Sequence, residues 1–570
     1  MDNNKNFLVF VFLSIMIVIG FNYLTKGMQP VSDHPTSATP AAEIQKLPTA
    51  SGAPEKFRDR AEVIKEAKRV AINTPELAGS LNLKGARFDD LTLTQYRETT
   101  EPASPQIVLL SPAGSAAPHN AQYAEFGWLT DNKDVAVPTD DTEWNAESKK
   151  LTPEHPLKLT WNNGGGLSFE RQISIDDHYM FTVTDMVKNS GKETVTLYPF
   201  GITARQGDPT ITASRVLYEG PLGVLGGTLE EYKYKALMDD GKQTVDSEGG
   251  WLGISSKYWL VAMAPPSDEK LTANFAYNGG SATAKGQGYF QSDFRGNAVP
   301  LAPGAITTQT VHFFAGAKRI RILDAYTEKY NITGFWRAID FGWFWFLTKP
   351  FLYMLTYLGK SLGSLGIGIL IFTVMLKLVT LPLSLKSNHS MARMKTIQPE
   401  VKRLQERYAD DKMKLNQEMM ELFKREKVNP MSGCLPTLIQ IPIFFALYKV
   451  LYVGIEMRQA PFYGWIHDMS MPDPTSVFTA LGAIPINLPP ALHIGVWPIL
   501  MGCSMFLQQR LSPQAMDKAQ ARMFMFMPVL FTYMLGNMPA GLVIYWTWSN
   551  LLSIAQQWYI MRLDAAKARA

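Results

Sequence analysis

The stretch Leu365-Gly-Ile-Gly-Ile-Leu-Ile-Phe-Thr-Val-Met-Leu-Lys377-Leu-Val-Thr-Leu-Pro-Leu383 decides how this chain is read. It is apolar except for Lys377, and at 1.5 Å rise per residue it can cross a hydrocarbon core of about 30 Å. Lys386, the next charge, follows nine positions later. That spacing sets the Lys377 ammonium roughly 13 Å inside the near end, close to the midplane. A cation at that depth costs several kcal/mol unless it faces protein or water. Snorkelling to the interface is the bland alternative, but a lysine stem reaches only about 6 Å and Pro382 interrupts the path. The expectation is a polar cavity around Lys377.

Working outward, further apolar runs fall at 434–454, 493–509, 523–536 and 541–559, and Phe7–Leu24 forms another near the start. With 363–383 they make six candidate spans. The first, within 1–26, reads as a retained anchor, because no small-x-small cleavage pattern or lipobox cysteine follows it. Lysines and arginines crowd the loop 384–433, flank 510–522 and recur in the tail 560–570; Arg458 is the one basic residue in the outer segment 455–492 to set against them. Positive-inside bias then places both termini and the 384–433 loop in the cytoplasm. Residues 523–536 alone are about 21 Å of helix, short enough to thin a bilayer locally.

Between the first two spans the chain changes character. Residues 27–58 hold Pro30, Pro35, Pro40, Pro48 and Pro54 among Ser, Thr and Ala, and read as an extended linker. Residues 59–325 show period-two stretches at Leu157–Trp161, Ile173–Ile175, Phe181–Thr184 and Thr194–Tyr198, separated by Gly, Asn and Asp. That pattern predicts an antiparallel β-sandwich, which the charge bias puts on the periplasmic side. Residues 326–362, dense in aromatics around Phe341-Gly-Trp-Phe-Trp-Phe346, predict an amphipathic interfacial helix. In 384–433 the apolar positions Ile397, Val401, Leu404 and Tyr408, then Leu415, Met419 and Leu422, predict a helical hairpin whose basic faces suit ribosomes or incoming chains.

Composition excludes several chemistries. The net charge of +4 gives no ground for bulk nucleic-acid binding. The two cysteines, Cys434 and Cys503, lie in or beside apolar runs and form neither a disulfide framework nor a zinc site. No Gly-x4-Gly-Lys-Ser/Thr pattern is present, so no cofactor or nucleotide is expected. No Asp or Glu lies within the apolar runs to pair with Lys377. The polar groups that could share its cavity are Thr373, one turn away, with Gln440 and Asn550; taken singly, each reads first as ordinary interhelical glue. Most of the 27 methionines lie in the second half, as core filler or as an adaptable apolar surface.

Several segments together resemble the YidC-type membrane protein insertases in their Gram-negative form. They are Phe341–Phe346, Gln417-Glu-Met-Met420, Lys427-Val-Asn-Pro430, Gly433–Phe444, Leu447-Tyr448, Glu456–Phe462, Trp465–Asp468, Phe526-Met-Pro528 and Ser549-Asn550. The resemblance implies a polytopic α-helical membrane protein with a five-helix core and a large periplasmic antiparallel β-supersandwich domain like that of sugar mutarotases. It implies an insertase rather than an enzyme. Its groove would open to the cytoplasm, with Lys377 as the cation and Thr373, Gln440 and Tyr545 nearby. A hydrophobic slide is implied around Leu438, Ile439, Leu447, Val529, Phe531 and Tyr533. The implied partners are nascent membrane proteins, the Sec translocon with its accessory subunits, the ribosome and the lipid bilayer.

Two departures stand out. Lys377 occupies a place where bacterial relatives commonly carry Arg, and Lys cannot form a rigid bidentate fork. Residues 474–497 are longer than usual. The competing reading is a membrane-anchored carbohydrate enzyme using His155, His178 or His312 with a carboxylate. A small-solute transporter is a third reading, without an inverted repeat or a coupling site to support it.

Overall fold

In a computed structural model the structure describes residues 45, 47–48, 57–207, 217–279, 288–409, 411–426, 435–477, 494–511 and 518–567. The expected anchor 1–26 and most of the linker 27–58 lie outside these residues, as does most of the long 474–497 segment. The chain divides into a β-unit, Ala41–Trp345 with Val453–Gln459, and a helical unit made of the rest.

The β-unit is a two-sheet sandwich. Its larger sheet has eleven strands among the described residues, with Val195–Gln206, Gln122–Thr130 and Arg87–Arg97 at its centre. The smaller has nine, centred on Trp259–Ala264, Ile306–Ala317 and Met180–Asn189. Strand pairing is antiparallel except for a short parallel match of Arg69–Asn73 with Lys150–Leu151. All four stretches picked out by alternation lie in strands, apart from Thr194, which precedes the strand starting at Val195, and Leu167–Ile175 alternates buried and accessible residues along its length.

The layers meet through aromatics. Phe88 and Phe126 of the larger sheet pack against Phe313 of the smaller at ring distances of 5.0 and 5.6 Å. Arg171 ties the sheets together, donating two bonds to Asp185 at 2.6 and 2.7 Å and a third to the Phe126 carbonyl at 2.8 Å. Trp128 Nε1 also donates to Asp185, at 3.2 Å.

Helices α1 (Arg60–Ile64) and α2 (Tyr234–Asp240) are short, whereas α3 (Ile320–Lys329) buries Ile320, Ile322, Leu323 and Tyr326. The turn at Phe335–Ala338 sets Phe335 against Trp251 and Phe314 at 5.3 Å each. These contacts carry the β-unit past the expected boundary at 325 to Trp345. The aromatic-rich helix is accordingly shorter than 326–362: α4 spans Trp345–Leu362, with Phe346 and Tyr357 exposed and Leu352 and Leu355 buried.

In the helical unit α5 runs unbroken over Leu365–Arg407, 43 residues, so the apolar run and the first arm of the hairpin are one helix. Ser364 caps its start by accepting from the Ile367 amide. α6 (Lys412–Arg425) returns after Asp411, which caps it. Ile397 and Leu422 are buried in the predicted seam, and Arg425 reaches Glu400 at 2.9 Å. The remaining helices are α7 (Leu435–Val453), α8 (Val496–Leu511), α9 (Lys518–Leu535) and α10 (Ala540–Lys567). α9 extends five residues before Met523 and reaches about 27 Å as a whole, while its apolar stretch Met525–Leu535 is short, in line with the shortness expected of 523–536. Its polar first turns are good helix formers, which apolar patterning does not detect.

Among the described residues one helical stretch, Leu365–Ser387, is long and apolar enough by itself to cross a bilayer; Ile439–Val453 and Met525–Leu535 are shorter apolar stretches. Asp473 fastens the start of α8. It accepts from the Trp497 amide at 2.8 Å and from Trp465 Nε1 at 3.0 Å. α8 and α9 touch at Gly502, where an added Cβ would lie 2.1 Å from Thr532 Oγ1.

Candidate functional site: a polar stripe on α10

Tyr545, Ser549 and Ser553 recur every fourth residue of α10 and therefore share one face. Each end of this stripe takes a partner from another helix. Lys377 of α5, half-buried, donates from Nζ to Ser553 Oγ at 2.8 Å, and Ser553 passes its own proton to the Ser549 carbonyl at 2.9 Å. Gln440 of α7 donates from Nε2 to the Tyr545 hydroxyl at 3.1 Å. The stripe is about 12 Å long, with a cation at one end and a phenol at the other.

An ammonium has three donors, and Ser553 is a neutral partner for one of them. Among the described residues no carboxylate forms an ion pair with Lys377. A cation whose partner among the described residues is a serine hydroxyl keeps donor capacity and charge for water or an incoming polar group. The arrangement can bind and guide; it has no paired acid and base for bond-breaking chemistry.

The other expected groove residues divide. Thr373 is buried one turn before Lys377 and gives its hydroxyl proton to the Ile369 carbonyl at 2.7 Å, within its own helix. Asn550 is turned from the stripe and donates to Ser504 Oγ of α8 at 2.9 Å, a helix–helix tie. Sequence reasoning missed Ser549 as a groove residue, and missed Ser504 and Ser553. The four-residue spacing after Tyr545 was the available signal for Ser549 and Ser553.

Of the expected slide positions, Val529 is 67% exposed and Tyr533 51%. They belong to a continuous apolar face of α9 that also includes Phe526, Leu530 and Met534. Ile439 of α7 is exposed, along with Ile441 and Phe445. Leu447 departs from the expectation: it is 1% exposed, packed inside rather than presented. Phe531 is half-buried, its ring 5.3 Å from Trp546. Leu438 lies in α7, but its side chain is outside the described residues.

The histidines of the carbohydrate reading are scattered. His155 is exposed in a turn; His178 Nδ1 meets Glu76 at 3.0 Å, where Arg319 holds the same carboxylate. His312 meets Thr182 Oγ1 at 3.2 Å and stacks near Tyr330. None lines the β-unit cavities of ≈ 310 and ≈ 270 Å³.

Comparisons with known proteins bear on the whole chain. The family described as "60Kd inner membrane protein" matches residues 357–567, and "YidC periplasmic domain" matches residues 69–354. A membrane protein insertase YidC of Methylobacterium nodulans is 46% identical, covering 100% of this chain and 96% of the relative. That of Rhizobium meliloti is 44% identical, covering 100% and 97%. An active YidC insertase crystal structure aligns at 15% identity and a TM-score of 0.35, over 87% of this chain and 93% of that one. A galactose mutarotase related protein from Lactobacillus acidophilus aligns at 8% identity and a TM-score of 0.29, over 43% and 97%. The sequence matches, which run the full length of both chains, decide the assignment: this chain belongs to the YidC membrane protein insertase family.

Proposed function

We propose that this protein inserts nascent membrane proteins into the bacterial inner membrane through the polar stripe on α10. The observation that carries the reading is Lys377, an ammonium deep in an apolar helix whose bonded partner is a serine hydroxyl. In this reading the polar part of a guest enters from the cytoplasm and is held by Lys377 and the stripe. Its apolar segment then leaves along the exposed face of α9 and the exposed residues of α7 into lipid, where burial drives the step without nucleotide. The proposed topology has six spans, cytoplasmic termini and a periplasmic β-unit. The basic α5–α6 hairpin is proposed to meet the ribosome, and the Sec translocon is proposed as a further partner.

The test is insertion into reconstituted vesicles. Lys377→Arg keeps insertion, because charge and reach persist. Lys377→Ala impairs it, most for substrates with acidic translocated tails. Equal insertion by all three proteins would remove the assigned role.

A further inference from the structure

Ser553 gives its one hydroxyl proton to the Ser549 carbonyl at 2.9 Å, within α10. A serine hydroxyl has one donor and two acceptor lone pairs. With its proton committed, Ser553 meets α5 as an acceptor, and Lys377 Nζ donates to it at 2.8 Å. Thr373, Thr380 and Ser384 of α5 and Thr547 of α10 return their protons to the carbonyl four residues earlier in the same way. Of these five hydroxyls, Ser553 is the one whose oxygen, among the described residues, also takes a donor from another helix.

A second bond sets where the two helices meet. Trp548 Nε1 of α10 donates to the Leu370 carbonyl of α5 at 3.2 Å. From that bond Ser553 lies five residues further along α10 and Lys377 seven residues further along α5, rises of about 8 and 10 Å. Helical side chains lean toward the N-terminus, so the long lysine stem reaches back over the difference. The pairing is therefore built into the packing of α5 on α10.

Lysine needs such a partner more than arginine would. Its charge is a single point on a flexible stem, whereas a guanidinium fixes its five donors in a planar fork. A carboxylate would add Coulomb attraction that a neutral hydroxyl lacks, and that attraction grows where water is scarce. A serine is thus strong enough to orient the ammonium in an empty groove and weak enough to give way to an acid. We propose that Ser553 is a positioning residue, the resting acceptor of the Lys377 ammonium, and that it is exchanged for a carboxylate on the guest's translocated segment. This exchange rests on the function proposed above and names the guest chemistry that the groove selects.

The experiment uses the full-length protein in reconstituted vesicles, with two reporters whose translocated tails differ only in carrying aspartates or asparagines. Ser553→Asp sets a permanent carboxylate beside Lys377. Insertion of the aspartate reporter should slow by about tenfold and that of the asparagine reporter by under about twofold. Ser553→Ala should slow the aspartate reporter about fivefold, and Ser553→Thr, which keeps the hydroxyl, should restore it. In a Lys377→Arg background the alanine should slow it by under about twofold. Equal slowing of both reporters by Ser553→Ala would mark a packing role and overturn the exchange. So would an aspartate reporter that keeps the parental rate in Ser553→Asp. Parental insertion of that reporter by Lys377→Ala would instead fail the groove reading itself. Slow insertion by Lys377→Ala beside parental rates in the Ser553 variants would overturn this inference alone.

Discussion

The paired arginines of the β-unit and Lys377 of the helical unit hold their charge in opposite ways. In the β-unit three largely buried arginines have carboxylates, Arg171 with Asp185, Arg69 with Asp89 and Arg87 with Glu125, whereas the buried Lys318 donates to Ser255 Oγ at 2.9 Å. In the helical unit Lys377 meets a serine. A buried pair with its lone pairs filled is a fixed cross-link, whose loss strands a charge. A cation partnered by a hydroxyl has spare capacity, and replacing it strands little. On the function proposed above, the comparison separates a residue kept for architecture from one kept for a guest.

The sharpest way to break this contrast is to cut both kinds of site and measure unfolding. Asp185→Ala leaves Arg171 charged inside the sandwich and also orphans the Trp128 indole. A loss of about 3–5 kcal/mol is expected for such a residue. It should show as a lower denaturation midpoint for the β-unit in the full-length protein. Lys377→Met should leave stability unchanged or higher and affect insertion alone. Comparable destabilisation by the two substitutions would end the distinction.

A smaller effect divides two residues that the family resemblance placed on one slide. Leu447 is packed inside and Val529 faces outward. Leu447→Ala should cost about 2 kcal/mol, the low end of the usual range, because lipid-exposed helices gain no hydration on separating. Val529→Ala should hardly alter stability, and Val529→Asp should slow insertion by placing a charge on the apolar face. Thermal melts in detergent, read beside insertion assays, check both. A Leu447→Ala protein as stable as the parent would mean that the exposures have been misassigned.

Much of this was legible from composition because its cause is local. Lys377 announces itself by standing in an apolar run, and the strands by alternation imposed by a half-buried surface. The seam of the hairpin was legible for the same reason. The continuity of α5 through Arg407 was not, because a polar helix has no hydropathy edge where the lipid stops. Nor was the membership of 326–345 in the β-unit, which depends on Phe335 meeting Trp251 and Phe314. Lys377–Ser553 and Gln440–Tyr545 are pairings between distant helices, and the chain shows each member without its partner.

The smallest effect concerns protons in the β-unit, where His312 has no carboxylate to match. Burial pushes its pKa below 6.5, helped by the Lys329 charge. Above 6.5 the imidazole is neutral in both folded and unfolded chains and contributes no pH dependence. As pH falls below that value the unfolded chain takes the proton first, so folding stability declines until the folded-state pKa is also passed. His312→Gln removes the titration while keeping a group able to bond Thr182. The melting temperature of the variant should therefore fall less between pH 7 and pH 5 than that of the parent. Identical slopes would show that His312 is solvated like a free imidazole, contrary to its packing between Thr182 and Tyr330.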